Sequence, residues 1–348
     1  MATRSITCGR GRTLHIGMLL ALLALLVAGC KKRHAPRSTT TTTSATEPAE
    51  KSAATGAEQR TPPVLADGPP PLTAPLLKFL PADGLRGPAS VIHDEASDAY
   101  FVSNIDGPLL AADGKGFISK LAPNGKKILP RWIEGGKNRV VLNAPKGMAL
   151  RGDELWVADI DTVRIFHRPT GLPLAEVKIP GAKALDGLTL GSDGGMLVSD
   201  AGLKATRDGL EQSGTDAIFV IYKDRSTTNI TLVAKDRLAS PRGLFATDDK
   251  VWSVSGRSGE IFAIAGNGKV GDFEKLPSGG LQGIVAVGDE LLVSSQDARA
   301  IFHGKPKDRW RVIIGDVQSP GGIGYDRKRG RVLVPMTTED EVRVYGIE

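Results

Sequence analysis

Cysteine, aromatic residues and long apolar runs are all scarce in this chain. Only 2 cysteines occur in 348 residues, which excludes a disulfide-rich scaffold, and aromatic side chains make up only 5%. No segment beyond the N-terminal region keeps the periodicity of an amphipathic helix, which argues against a helical bundle. Instead, 42 glycines punctuate short valine-rich stretches. This pattern predicts an all-β fold of many short strands joined by turns.

The N-terminal region has the order of features found in an export signal. Arg4, Arg10 and Arg12 precede the apolar run "MLLALLALLVA", which is too short to span a bilayer as a stable helix. The run ends in "LVAGC", which resembles the bacterial lipobox. Residues 1–29 are therefore predicted to be a lipoprotein signal peptide, with Cys30 acylated, for example by palmitate. An ordinary signal peptide with an incidental cysteine is the alternative.

Residues 30–75 are predicted to be a lipidated, disordered tether. They are rich in Thr, Ser, Ala and Pro and offer almost nothing to bury. The lipid would anchor the protein to a membrane of the bacterial cell envelope. Lys31 rather than aspartate follows Cys30, and by resemblance to proteobacterial lipoproteins this favours the outer membrane, facing the periplasm or the exterior, over the inner membrane.

The charge of the folded part argues against a nucleic-acid partner. The whole chain carries +6, but residues 1–29 hold three arginines and no acids, and residues 30–75 hold six basic and four acidic residues. Residues 76–348 therefore have a net charge of only +1, which is too small to indicate binding of a polyanion such as a nucleic acid.

A repeat of about forty residues organises residues 76–348. Six similar turns lead into strands, and each is anchored on a small residue. The anchors are Ser90, Gly147, Gly187, Gly243, Gly283 and Gly322. Their spacing, with four strands in each unit, is typical of propeller blades, and the two longer spacings are explained by insertions. The competing interpretations, a β-sandwich or two small barrels, leave this period unexplained.

The sixth unit lacks a fourth strand, and "LLKFLPAD" before the first unit is strand-like without a partner. The sequence therefore predicts a six-bladed β-propeller that is closed by an N-terminal strand. Closure of the ring would hide sheet edges that otherwise invite aggregation.

The residue before each anchor, which we call the slot residue, is predicted to face one mouth of the central channel. The six slot residues are Ala89, Lys146, Asp186, Arg242, Gln282 and Gly321. The second strand of each blade is expected to end near the same mouth, which would bring Asn104, Asp159 and Asp200 there. Mixed charges around a concave rim suit a small polar or anionic ligand. Alternatively, Asp186 and Asp159 pair with Arg242 and Lys146 and plug the channel.

The segments "SVIHDEASDAYFVSNIDG", "GKGFISKLAPNGK", "LNAPKGMAL" and "LWVADID" resemble the gluconolactonase-like propellers, also called the senescence-marker or regucalcin family. A looser likeness connects the chain to NHL-repeat propellers. The resemblance covers nearly all of residues 76–348. It implies the propeller fold and, in active members, a divalent cation such as calcium or zinc that polarises a lactone carbonyl and activates water.

The metal ligands that the resemblance implies are not retained. The family's glutamate, asparagine and aspartate positions are occupied by Arg86, Arg242 and Gln282, and its Asn-Asp pair survives as Leu185 and Asp186. A guanidinium group cannot donate an electron pair to a metal and would repel it. We therefore predict no metal, no other cofactor and no catalytic residues.

The predicted function is thus binding of a small polar or anionic ligand, or of a protein partner, at Lys146, Asp186, Arg242, Gln282, Asp159, Asp200 and Asn104. The alternative from a different class is a metal-dependent hydrolase of lactones or esters, of the gluconolactonase type. Independently of this choice, the polar insertion "AGLKATRDGLEQSGTD" is predicted to be a lid over the channel, a partner surface or simply a tolerated surface loop.

Overall fold

In the part of the chain that the structure describes, twenty-six short strands form the fold, as the alternation of apolar runs and turns predicts. The structure, a computed structural model, describes residues 74–80, 84–125, 127–222, 224, 230–234 and 237–347. All of them belong to one unit that spans Ala66–Glu348. The predicted signal peptide, Cys30 and nearly all of the predicted tether lie outside the described residues. Within the described ranges, no helix is long and apolar enough to cross a membrane.

Each blade is a four-stranded antiparallel sheet built from consecutive hairpins. The first strand of the described residues is β1 (Leu76–Leu80). Blade 1 contains β2 (Pro88–Asp94), β3 (Ala99–Asn104), β4 (Phe117–Leu121) and β5 (Lys127–Glu134). Blade 2 contains β6 (Pro145–Arg151), β7 (Glu154–Asp159), β8 (Thr162–His167) and β9 (Pro173–Lys178).

Blade 3 carries an additional hairpin between its second and third strands. Its strands are β10 (Leu185–Leu190), β11 (Met196–Asp200), the hairpin β12 (Leu203–Thr206) and β13 (Gly209–Gln212), then β14 (Ala217–Ile221) and β15 (Ile230–Ala234). This hairpin is the insertion that lengthens the spacing between Gly187 and Gly243. Its second strand is fully exposed.

The last three blades follow the same plan. Blade 4 contains β16 (Pro241–Ala246), β17 (Lys250–Ser255), β18 (Glu260–Ala265) and β19 (Glu274–Lys275). Blade 5 contains β20 (Leu281–Val287), β21 (Glu290–Ser295), β22 (Ala300–Gly304) and β23 (Arg311–Ile314). Blade 6 contains β24 (Gly324–Asp326), β25 (Arg331–Met336) and β26 (Glu341–Gly346).

The closing strand lies where the sequence predicts it. Strand β1 pairs antiparallel with β26, with Leu76 opposite Tyr345 and Leu80 opposite Val342, and so completes blade 6. On the inner side, Val91 N donates to Gly322 O at 3.1 Å and Gly322 N donates to Ala89 O at 2.8 Å. The first and last blades are therefore joined both at the outer strand and at the innermost strands. The prediction of a six-bladed propeller closed by an N-terminal strand is confirmed.

The core consists of apolar clusters between neighbouring blades. The second strands are buried along their whole length or nearly so, as in β3 and β25, because both faces of each sheet pack against a neighbour. Between blades 1 and 2, for example, Phe101 and Ile133 pack with Leu155 and Phe166. Between blades 6 and 1, Val91 and Tyr100 pack with Leu333. This continuous packing holds the six innermost strands around the axis.

Candidate functional site at the channel mouth

The central channel forms a cavity of about 930 Å³. Residues from all six innermost strands line it, and every slot residue is on its wall. These are Ala89, Lys146, Asp186, Arg242, Gln282 and Gly321. We call the end of the channel at which the slot residues lie the mouth. At the far end of the innermost strands the wall includes His93, Tyr325 and Arg327.

Five of the six anchor residues are glycines because the innermost strands there approach too closely for a side chain. A Cβ at Gly147 would lie 2.2 Å from Asp186 O, and one at Gly187 would lie 2.4 Å from Arg242 O. Contacts this short with backbone atoms cannot be relieved by rotating a side chain. The absence of a Cβ therefore allows each anchor to pack directly on the slot residue of the following blade.

Serines in alternate blades fix the slot residues. Ser103 Oγ accepts from Ser90 N at 3.0 Å and donates to Lys146 O at 2.7 Å in the next blade. Ser199 Oγ likewise accepts from Gly187 N and donates to Arg242 O at 2.7 Å. Ser294 repeats the arrangement, from Gly283 N to Gly321 O. The two basic slot residues of the mouth thus both have their carbonyl groups held by a preceding blade.

These serines are not among the residues predicted from the sequence, although a signal for them is visible there. The second strands end in "VSN", "VAD", "VSD", "SVS", "VSS" and "VPM", so that blades 1, 3 and 5 carry serine next to last and blades 2, 4 and 6 carry Ala158, Val254 and Pro335. Buried hydroxyl groups at every second repeat require partners, and the nearest backbone belongs to the adjoining blade.

An ion pair joins two neighbouring slot residues at the mouth. Arg242 Nη1 donates to Asp186 Oδ2 at 2.8 Å, from the slot of blade 4 to the slot of blade 3. Both side chains are mostly buried, with 18% and 15% of their surface exposed. Arg242 Nε is buried and makes no hydrogen bond with any described residue. The pair therefore neutralises Asp186 and leaves a donor of Arg242 unused.

Lys146 is the cation of the mouth that has no acidic partner. Only 6% of the residue is exposed, and no ion pair joins it to a carboxylate of the described residues. Its Nζ is 3.5 Å from Leu185 O, a distance at the limit of a hydrogen bond. Burial, together with the nearby charge of Arg242, lowers the pKa of the Lys146 amine, although Asp186, Asp200 and Asp159 oppose that shift.

Three of the residues that the sequence places at the mouth lie beneath it instead. Asp159, Asp200 and Asn104 are buried and are not on the cavity wall. Asp159 accepts from the backbone of Asn143 and Ala144, and Arg164 Nε donates to it at 3.2 Å. These residues hold the loops that lead into the innermost strands, because the end of the second strand lies one layer outside the channel.

Asp200 and Asn104 also hold loops that lead into the innermost strands. Asp200 accepts from Lys183 N, Ala184 N and Gly202 N. Asn104 Oδ1 accepts from Arg86 N at 3.0 Å, and its amide group donates to Val102 O and Ser119 Oγ. Of the two ion pairs that would plug the channel, Arg242–Asp186 is present, whereas Asp159 pairs with Arg164 rather than with Lys146.

The residues at the former metal-ligand positions do not form a donor set for a divalent cation. Arg86 is not on the cavity wall and pairs with Asp340 at 3.5 Å. Asp186 and Gln282 do line the mouth, but two cations, Arg242 and Lys146, share it with them. Among the described residues, no group of three or more His, Cys, Asp or Glu side chains is arranged to hold a metal. The residues present therefore do not fit the metal that the resemblance implies.

No family model matches the sequence, and no curated protein matches it. Solved structures share its fold. A putative gluconolactonase aligns with a TM-score of 0.59 at 13% identity, over 80% of this chain and 93% of that one. A streptogramin B lyase aligns with a TM-score of 0.54 at 15% identity, over 79% and 98%. An inactive virginiamycin B lyase variant from Staphylococcus aureus, solved with quinupristin, aligns with a TM-score of 0.53 at 16% identity, over 80% and 99%. The chain is a six-bladed β-propeller of the architecture that these proteins share.

Proposed function

We propose that the channel mouth binds a small anionic ligand, such as a carboxylate, without converting it. The observation that carries this proposal is the unpaired Lys146 on the cavity wall. Arg242 and Asp186 neutralise each other, so the mouth has one buried cation in excess. A protein partner that inserts an acidic side chain into the mouth would use the same chemistry.

The energetics of burial support an anion at this place. Removing an ammonium group from water costs several kcal/mol unless an opposite charge compensates it. Lys146 forms no ion pair with a carboxylate of the described residues, and the pKa of its amine is lowered by burial despite the opposing charges of Asp186, Asp200 and Asp159. A bound anion would favour the charged form of Lys146. Ligand binding should therefore be coupled to proton uptake, and affinity should fall as the pH rises through the pKa of the free amine.

The neighbouring groups can orient such a ligand. Arg242 and Gln282 both line the cavity, and the buried Nε donor of Arg242 has no hydrogen-bond partner among the described residues. Because a guanidinium group presents its donors in a plane, it suits a carboxylate better than it suits a spherical anion. Apolar wall residues such as Leu188 and Ile284 would accommodate the remainder of the ligand.

The alternative is metal-dependent hydrolysis of a lactone or ester, which the putative gluconolactonase among the similar structures suggests. Such chemistry needs oxygen ligands around the metal and an open coordination position. The donor set described above does not fit that requirement. We therefore keep hydrolysis only as an outcome of the experiment below.

The cellular setting is also a proposal. We propose that the protein is an exported lipoprotein of the bacterial cell envelope, anchored through Cys30, with its propeller facing the periplasm or the exterior. The variant Cys30→Ser should appear in the soluble fraction of cells, whereas the unaltered chain should stay with the membranes. Equal membrane association of the two proteins would contradict the lipid anchor.

Thermal unfolding of the detergent-solubilised full chain tests the binding function. The protein is first treated with EDTA and then titrated separately with acetate, lactate, gluconate and phosphate. We expect a saturable rise in Tm with at least one carboxylate, because a ligand that binds only the folded state stabilises it. The shift should be lost in Lys146→Met and reduced in Arg242→Gln.

The same experiment with calcium, zinc, magnesium and manganese distinguishes the hydrolase. Binding of the kind proposed here predicts no saturable shift with any of these ions. A saturable shift with one metal, together with turnover of a lactone by the metal-treated protein, would replace the binding function with the hydrolase. Failure of all four anions to shift the Tm of a folded protein would contradict the anion site.

A further inference from the structure

Lys146 differs from an ordinary salt-bridging lysine in its surroundings. The residue is almost completely buried, it lies on the wall of a cavity of about 930 Å³, and Arg242 adds a like charge nearby. By contrast, Lys305 and Lys328 are more than half exposed and pair with Asp289 and Asp98. The Asp289 partner raises the pKa of the Lys305 amine, the direction opposite to that of Lys146.

Such surroundings are those of a nucleophilic amine. A lysine becomes nucleophilic when its neutral form is favoured, by desolvation or by a neighbouring cation. Both factors act on Lys146, and the cavity that Lys146 lines is large enough to hold a small electrophile. The carbonyl group of Lys146 is held by Ser103 Oγ at 2.7 Å, so the backbone from which the side chain extends is fixed.

We propose that Lys146 is a covalent capture site for aldehydes and 2-oxo acids, which it binds as an imine in the channel. The inference rests on the proposed function, because the carboxylate of a 2-oxo acid would occupy the anion site beside Arg242. It assigns to that site a chemical class of ligand, a carbonyl group next to a carboxylate.

The reaction balances without an oxidant or a reductant. The lone pair of the neutral Nζ attacks the carbonyl carbon and forms the C–N bond, while the π electrons of the C=O bond move to oxygen. A proton passes from nitrogen to that oxygen and gives a carbinolamine. A second proton assists departure of the hydroxyl group as water while the nitrogen lone pair forms the C=N bond of an iminium ion. Loss of the remaining N–H proton then returns that proton and leaves the imine. Amine and carbonyl thus give imine and water.

Asp186 is the side chain that can carry the protons. It has the strongest charge-stabilising effect on Lys146 of the three nearby carboxylates, and its Oδ2 accepts from Arg242 at 2.8 Å. By this hydrogen bond Arg242 fixes the position of the Asp186 carboxylate, a group of the kind that can accept a proton from an attacking amine. It also provides the donors for a ligand carboxylate. Arg242 would therefore favour glyoxylate over a neutral aldehyde of similar size.

Reductive trapping tests the proposal on the detergent-solubilised full chain. The protein is incubated with glyoxylate and sodium cyanoborohydride near neutral pH, and the modified lysines are identified by peptide mass spectrometry. We expect carboxymethylation of Lys146 to proceed at least about tenfold faster than that of Lys305 or Lys328, since a lower amine pKa leaves more of the neutral form. In the urea-unfolded chain this preference should disappear. Equal rates at the three lysines of the folded chain would overturn the proposal.

Two variants and a second electrophile complete the experiment. Lys146→Arg keeps a cation in the mouth but removes the nucleophile, so fast labelling should vanish while its melting curve reports whether it folds. Arg242→Gln should slow capture of glyoxylate more than capture of propionaldehyde. Equal slowing of both would overturn the role of Arg242 in recognising the carboxylate.

The outcomes separate this inference from the proposed function. If acetate or lactate raises the Tm but Lys146 is labelled no faster than Lys305, the anion site stands and covalent capture is overturned. If Lys146 is labelled quickly by propionaldehyde and glyoxylate alike while no carboxylate shifts the Tm, capture of aldehydes stands and the anion site is overturned.

Discussion

The hydroxyl group of Tyr100 donates to Asp326 Oδ2 at 2.6 Å and so links the first blade to the last. Asp326 is completely buried, and Arg329 Nη1 donates to the same carboxylate at 2.9 Å. His93 Nδ1 lies 3.4 Å from Asp326 Oδ1, and Arg329 also binds Asp98 of blade 1. We call these five residues the clasp. It joins blades 1 and 6 at the end of the channel opposite the mouth.

Breaking the clasp should destabilise the ring. Tyr100→Phe removes a hydrogen bond to a charged group, which we expect to lower the free energy of unfolding by about 1.5–3 kcal/mol. Chemical denaturation at neutral pH measures the change. Asp289→Asn is the matched control, because its pair with Lys305 is exposed, and this variant should unfold like the unaltered protein. A Tyr100→Phe protein as stable as that control would contradict the clasp.

The clasp also predicts an acid sensitivity with a definite sign. The hydrogen bonds from Tyr100 and Arg329 hold the pKa of Asp326 below its ordinary value despite burial, and Arg329 and Lys328 do the same for Asp98. A depressed pKa stabilises the fold above the unfolded value of about 3.9, and that stability is lost as the pH falls through the folded pKa. The free energy of unfolding should therefore drop below about pH 4.

Asp326→Asn should flatten that part of the pH profile, since the asparagine does not titrate. The variant is less stable at neutral pH because it loses its ion pair with Arg329. A profile as steep as that of the unaltered protein would assign the acid sensitivity to other carboxylates.

The closing strand β1 should contribute more to the thermal stability of the propeller than its five residues suggest. Deleting residues 76–85 removes the partner of β26 and the buried Leu85, which packs with Val91 and Tyr100. We expect Tm to fall by at least about 10 °C, given that each kcal/mol corresponds to roughly 2–4 °C in a domain of this size. Replacing residues 204–211 of the β12–β13 hairpin with a short glycine linker is the control and should change Tm little, because that hairpin is largely exposed.

A single methyl group at an anchor should disturb the mouth. In Gly147→Ala the added Cβ would lie 2.2 Å from Asp186 O, so the two innermost strands must separate. We expect a loss of about 1–3 kcal/mol or more in the free energy of unfolding, together with weaker carboxylate binding. Gly315→Ala is the control, because a Cβ there meets nothing within 4 Å. Equal stability of the two variants would mean that the anchors tolerate side chains.

The two charges beside Lys146 should move its pKa in opposite directions. Arg242→Gln removes a like charge and frees Asp186, so the pKa of the Lys146 amine should rise, whereas Asp186→Asn should lower it further. Reductive methylation with ¹³C-formaldehyde, followed by NMR titration of the assigned methyl signal, measures both shifts. Lys305, whose partner is Asp289, is the internal reference. Shifts of the same sign in both variants would contradict this electrostatic account.

Repeat and strand order follow from the sequence alone. The anchors from Ser90 to Gly322 recur with a period near forty residues, and apolar stretches alternate with turns. Both are local features, so they can be recognised without knowing which residues become neighbours in space. The repeat array has an unpaired strand at its start and an incomplete blade at its end, so the sequence also predicts that β1 pairs with β26. Because each slot residue is adjacent to its anchor, the sequence also places Lys146, Asp186 and Arg242 around one channel.

Only the tertiary structure decided how those charges are used. Asp159 and Asp200 carry the same charge as Asp186, but the second strand directs them toward the amides of the loops, one layer outside the channel. The distance between blades then brings Arg242 to Asp186 and leaves Lys146 without an acid. Side-chain partners across blades depend on the radius and closure of the ring, which are properties of all six repeats together and are not written in any one of them.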